Sequence, residues 1–247
     1  MKNNNKFRLD VWGAITLGTI ALYALFLLYP MAYLIRQSVL DPDTGGFTLA
    51  YFTKFFSKSY YFDTLINSFK VSITATVLSI AIGTPLAYLF TIFKIKGKSV
   101  LNILIVVASM SAPFIGAYSW ILLLGRSGVI TTFFKDLGIA IPDIYGFGGI
   151  VLVMTLQLFP LVFLYAKGAL KNIDNSLIEA AENLGCSGIA CFFKVVVPLI
   201  MPTLLAAALL VFMRSFADFG TPMLIGEGYR TFPVVLYTEF INEVGGS

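Results

Sequence analysis

Long apolar runs separated by short polar segments dominate the chain. Five are long enough for a helix to cross a bilayer, which takes roughly 20 apolar residues. They run from Val11 to Ile35, Leu65 to Phe93, Val100 to Leu124, Gly148 to Ala166 and Leu199 to Phe219. Each is predicted to be helical, because a lone strand would leave its backbone groups unpaired in lipid. Pro30, Pro85, Pro113 and Pro160 fall inside these runs, where kinks are expected. The predicted fold class is all-α: a polytopic transmembrane helical bundle, with residues 1–10 as an N-terminal segment and 11–247 as the membrane domain.

Composition supports lipid as the solvent. The chain is 58% hydrophobic and 12% charged, against about 25% charged in a soluble domain. The net charge of +4 sits beside the apolar runs, which fits membrane orientation and no nucleic-acid partner. Lys2, Lys6 and Arg8 precede the first run; Lys94, Lys96 and Lys98 follow the second; Lys167, Lys171 and Lys194 follow the fourth. These segments alternate with loops poorer in cations (Arg36, Lys54 and Lys58; Arg126 and Lys135), so the N-terminus is expected in the cytoplasm. The first run is too long for a signal-peptide core and lacks a small-residue cleavage site, so it is expected to be retained. With no histidine in the chain, imidazole metal sites and histidine-based catalysis are excluded. Cys186 and Cys191 are expected to be reduced, half-buried thiols. Five crossings from a cytoplasmic start leave the end outside, and the amphipathic stretch Phe232 to Val244 leads into Gly245-Gly246-Ser247. The sequence therefore reads as truncated before a sixth crossing.

The segment from Lys167 to Pro198 is the longest expected on the cytoplasmic side. Ser176 and Glu179 fit the S-x-x-E capping box that satisfies free amides at a helix start. Leu177, Ile178, Ala181 and Leu184 follow at helical spacing on one face. Gly185 stands where a glycine stops a helix. A second short helix is predicted from Ser187 to Val197, and Pro198 and Pro202 open the fifth crossing. A capped helix with Ala180 and Ala181 for close approach, and Glu179 and Glu182 for charge, suits docking in a partner's groove. A helix lying on the membrane surface is the other reading; such helices carry Lys or Arg on the polar face, and none lies between Leu177 and Gly185.

Glu179-Ala180-Ala181, then Gly185, then Val195-Val196-Val197-Pro198 resembles the EAA motif of ATP-binding-cassette importer permeases. In that motif Glu-Ala-Ala is followed after three residues by Gly and after nine more by Ile-x-Leu-Pro. Val195 and Val197 replace Ile and Leu and keep the apolar character. The resemblance implies an importer-permease fold with a cytoplasmic coupling helix in a bacterial inner membrane. Glu179, Ala180, Ala181, Leu184, Gly185 and Pro198 would couple it to a separate ATPase subunit, which alone uses ATP; the chain itself would bind no cofactor and be no enzyme. It also implies an extracytoplasmic substrate-binding protein and a second permease half, fused or separate. The stretches Arg214 to Pro222 and Ile225 to Thr231 resemble the ferric-iron branch of that family. Iron(III) is the expected cargo, with phosphonate, thiamine or polyamine as alternatives. The chain then resembles most of the first half of a double permease.

Several other residues admit plainer roles. Gly97-Lys98-Ser99 resembles the end of a phosphate-binding loop, but Ile92 stands where its first glycine is needed. Arg214 and Asp218, four apart at the end of the fifth crossing, are expected to pair with one another. Gln157, midway along the fourth, is expected to join helices. Both sites are also the candidates for a substrate pathway. Lys70 is expected to snorkel, and Ala14 with Gly18 is a weak helix-packing signal. A membrane enzyme lacks convergent catalytic groups here. An ion-coupled secondary transporter or channel would need broken helices carrying charge near the midplane.

Overall fold

The structure is a computed structural model that describes residues 11–41, 44–93, 96–110, 112–186 and 188–245. Lys2, Lys6, Arg8, Lys94, Ser187, Gly246 and Ser247, and the side chain of Glu182, lie outside the described residues. In chain order the helices are α1 (Val11–Ser38), α2 (Ala50–Ser57), α3 (Ser59–Ile92), α4 (Lys98–Ser109), α5 (Pro113–Leu124), α6 (Val129–Asp136), α7 (Phe147–Lys171), α8 (Asn175–Asn183), α9 (Gly188–Ala217), α10 (Gly220–Ile225) and α11 (Phe232–Gly245). Among the described residues there is no strand; Leu40 and Phe47 form an isolated antiparallel bridge. Five stretches are long and apolar enough to cross a membrane: α1, α3, Pro113–Asp136, α7 and α9.

The chain divides into two units, 1–62 and 63–247. In the first, none of the apolar window of α1 is buried. That helix presents Trp12, Phe26, Leu34 and similar side chains outward, as a helix solvated by lipid does.

Prolines shape the helices in two ways. A π turn, Ala24–Leu28, lies inside α1 directly before Tyr29-Pro30, and another, Phe192–Val196, lies inside α9 directly before Val197-Pro198. The amide of Tyr29 bonds the carbonyl of Ala24, and that of Val197 the carbonyl of Phe192, five residues back. A proline ring clashes with the carbonyl four residues before it, and the widened turn makes room. The sequence predicts a separate short helix from Ser187 to Val197. The structure instead runs one helix from Gly188 through the π turn to Ala217. Pro113 acts differently. The helix predicted from Val100 to Leu124 stops at Ser109 and restarts at Pro113. Ala112 is extended, at φ −69° and ψ 141°, because a following proline disfavours the α conformation. Each 12-residue piece is about 18 Å long and too short to span about 30 Å alone.

In the second unit α7 is central. Its Val162, Phe163, Ala166 and Leu170 pack with Phe90 of α3 and with Val196, Ile200 and Leu204 of α9 in one cluster. Its Ile150, Val153 and Met154 pack with Val71 and Ala75 of α3, Ala117 of α5 and Ile225 of α10 in another. Lipid tails are as apolar as leucine, so close van der Waals contact between helices has to supply the association. Ser68, Ser72, Ala75, Ser79, Gly83 and Ala87 form a buried seam of small residues along α3. Its closest approach is at Gly83, where an added Cβ would meet the Val162 Cβ at 2.8 Å and the Phe159 carbonyl oxygen at 2.9 Å. Gly83→Ala is therefore expected to cost about 1–3 kcal/mol through overpacking. Thermal unfolding of the detergent-solubilised protein should fall by several degrees; an unchanged midpoint would show that α3 and α7 are not in contact there.

Candidate functional site

The first site is α8. The chain leaves α7 at Lys171 and re-enters a helix at Asn175. The carboxylate of Asp174 accepts the amide of Ser176 at 3.0 Å, and its carbonyl accepts the amide of Leu177 at 3.0 Å. The cap is thus Asp174, not the predicted Ser176, which is already helical and adds a side-chain bond to the same carboxylate. The Ser176 amide first, and then its hydroxyl, hold the Asp174 carboxyl below its ordinary value. A depressed carboxyl stabilises above its unfolded pKa and loses that contribution as pH falls through the folded one. Protection of the Ser176 and Leu177 amides, taken relative to the unstructured-chain exchange rate at each pH, should fall as the medium is acidified below the ordinary aspartate range, and Asp174→Ala should remove that dependence.

The other end closes on Gly185, at φ +85°. The amide of Cys186 bonds the carbonyl of Ala181 at 3.0 Å, and that of Leu184 the carbonyl of Ala180 at 3.1 Å. This is the left-handed glycine closure of a helix. Ile178 packs on the cluster built by α7 and α9, and Ala181 is half-buried. Glu179, Ala180 and Leu177 are exposed, and Leu184 is 89% exposed. The face predicted as single is therefore split: Ile178 anchors the helix, while Leu177, Ala180 and Leu184 form an outward stripe beside Glu179. Pro198, also exposed, lies inside α9 just after the π turn.

The second site is a cavity of about 510 Å³ at the break between α4 and α5. Ser109, Pro113 and Phe114 line one side, Gln157 and Leu158 of α7 another, and Arg214 to Gly220 the third, without Ser215 and Phe216. The three residues that the sequence proposes for a pathway, Gln157, Arg214 and Asp218, thus meet around one space. Two expectations about them fail. Among the described residues Arg214 and Asp218 form no ion pair: helix α9 ends at Ala217 and Asp218 is extended, which removes the helical i, i+4 geometry. The Asp218 carboxylate instead accepts the amides of Gly220 at 2.9 Å and Thr221 at 3.4 Å, capping α10. Gln157 joins no helix through its amide nitrogen, which is buried without a hydrogen-bond partner. Sequence reading missed the aromatic wall, where Phe114 and Phe219 meet edge to face at 5.4 Å.

A third cluster was not legible in sequence. Arg126, before α6, donates to Asp143 at 3.0 Å and to both oxygens of Glu227 at 2.9 and 3.0 Å. It also lies 4.8 Å from the centre of the Tyr145 ring. The partners are 17 and 101 residues away. The network ties three interhelical segments together on an exposed surface, where single ion pairs are worth little.

Residues 46–244 match the family model described as "Binding-protein-dependent transport system inner membrane component". The chain is 28% identical over 220 residues to the putative ferric transport system permease protein of Haemophilus influenzae, covering 88% of this chain and 34% of that one. It thus spans about a third of the length of that relative. It is 29% identical over 249 residues to the spermidine/putrescine transport system permease protein of the same species, covering 96% of this chain and 85% of that one. A chain of a bacterial alginate ABC transporter, solved with an alginate pentasaccharide-bound periplasmic protein, has the same fold. Its TM-score is 0.76 at 17% identity, covering 96% of this chain and 84% of that one.

Proposed function

This chain belongs to the family of binding-protein-dependent transport system inner membrane components, and on that premise we propose that it is the permease subunit of an ATP-driven importer. In this reading it binds no ATP. A separate ATP-binding-cassette ATPase receives α8 in a surface groove, an extracytoplasmic binding protein delivers the cargo, and a second permease half completes the path. The N-terminus and α8 lie in the cytoplasm. Glu179, Ala180 and Leu184 contact the ATPase, Ala181 and Gly185 shape the helix that does so, and Pro198 marks the passage from the π turn into the rest of α9.

One observation carries the coupling reading: α8 is capped at both ends, seated on the helix core by Ile178, and leaves Leu184 89% exposed. A mobile loop would dissipate a push from the ATPase; a helix locked to α7 and α9 transmits it. The cavity bounded by Gln157, Arg214 and Asp218 is the natural path for cargo. It lies where the helix broken before Pro113 leaves room, and Gln157 is about 15 Å along α7 from Phe147, near the bilayer midplane.

Iron(III) is the proposed cargo, supported by the ferric-transport relatives. A polyamine is the second reading, supported by the spermidine/putrescine relative, whose length the chain matches more fully. Proteoliposomes holding the intact permease, its ATPase and its binding protein test both. ATP-dependent accumulation of radiolabelled iron(III) without spermidine accumulation supports the first; the reverse supports the second. Uptake that persists without ATP would contradict the importer reading and favour an ion-coupled secondary transporter.

A further inference from the structure

Building on the permease reading, we propose that the cavity between α4, α5, α7 and α9 binds an oxyanion group, a carboxylate or phosphate, carried by the cargo. Arg214 and Gln157 are its donors. Arg214 lines the cavity without an ion-pair partner among the described residues. Arg214 is exposed, in the last turn of its helix, and a cation at the end of a membrane crossing with no ion pair is free to take a ligand. The carboxylate nearest in sequence, Asp218, is committed through Oδ1 to the amides of Gly220 and Thr221. In the same lining the Gln157 amide nitrogen is buried with no acceptor. A buried donor left unmade carries its full desolvation penalty. Arg214 and Gln157 border one space of about 510 Å³, and a rotation about the last bond of the Gln157 side chain turns its amide nitrogen toward it. A group with several acceptor oxygens and negative charge satisfies both, and arginine suits it through its planar fork of donors.

The alternatives fit less well. A polyamine would meet the positive charge of Arg214 and leave the Gln157 donor without an acceptor. Bare iron(III) would find one carboxylate in the lining, that of Asp218, already hydrogen-bonded, and neither imidazole nor thiolate. Hard cations need several oxygen ligands. An iron cargo that passes this point therefore carries its own carboxylate or phosphate ligands, and Phe114 and Phe219 offer an apolar wall to the rest of the complex.

Binding of radiolabelled inorganic phosphate to the intact permease in nanodiscs, at fixed ionic strength, tests the site directly. Saturable binding that citrate displaces is expected. Arg214→Gln should weaken it by at least about tenfold and Gln157→Leu by roughly tenfold, with Arg214→Lys, which keeps the charge and loses the fork, falling between wild type and Arg214→Gln. Each variant is checked for wild-type elution and melting, so that either donor alone suffices if the other variant misfolds. Absence of saturable phosphate and citrate binding, equal binding in wild type and Arg214→Gln, or tighter binding of radiolabelled spermidine in a separate assay would overturn the site. Capture of the ATPase by the same preparation is measured in parallel. Capture without anion binding rejects the site and leaves the permease reading standing; anion binding without capture rejects the coupling reading.

Discussion

Glu179→Lys is expected to abolish ATP-driven uptake while leaving the protein inserted in the membrane and its unfolding temperature unchanged. Glu179 is exposed on α8, on the side away from the Ile178 anchor. Glutamate and lysine have similar helix propensities, and surface substitutions of this kind barely change stability. The free chain therefore loses nothing. In the proposed docked interface the same change would set a cation where Glu179 offers the ATPase an anion. Disrupting a desolvated charged contact weakens association by about a hundredfold. Uptake in proteoliposomes and melting in detergent separate the two effects. Glu179→Gln, which removes the charge without reversing it, should retain partial uptake. Lower melting with normal residual coupling would instead assign Glu179 a folding role.

Gly185→Pro is expected to abolish uptake by a different route. Gly185 adopts φ +85°, whereas a proline ring holds φ near −65°. The closure through the Cys186 amide and the Ala181 carbonyl cannot form, and the chain can no longer turn from α8 into α9. Gly185→Ala discriminates between conformational and steric causes. An added Cβ there meets nothing within 4 Å, so alanine suffers only the left-handed strain of about 1–2 kcal/mol. The alanine variant should keep measurable uptake and the proline variant none, with both present in the membrane at wild-type level. Equal uptake by the proline variant and wild type would show that the turn transmits nothing.

The membrane-length helices were legible because lipid forces backbone groups to pair locally, so a run such as Gly148 to Ala166 can only be helical. The glycine closure at Gly185 was legible for the same local reason. What escaped depended on tertiary contact or on where a helix ends. Ile178 and Leu184 both belong to the apolar face read from the spacing, yet α7 and α9 cover one and leave the other bare. Arg214 and Asp218 look like a pair only while the helix continues; it stops at Ala217, and the Asp-Phe-Gly-Thr-Pro sequence that follows is a helix-start signal. Pro113 signalled a kink, but the complete break before it opens the cavity, and only the fold brings Gln157 to its wall. Arg126 with Glu227 bridges 101 residues, beyond any periodicity.

The docking of α8 in an ATPase groove is tested most directly at Leu184, whose side chain touches little within this chain. A photo-crosslinking amino acid is placed at that position in the intact permease, co-expressed with its ATPase and second permease half. Irradiation should yield a covalent adduct with the ATPase subunit that Glu179→Lys in the same chain abolishes. Adducts with lipid alone, from a complex that still assembles, would contradict the docking of α8 and identify it as a helix lying on the membrane surface.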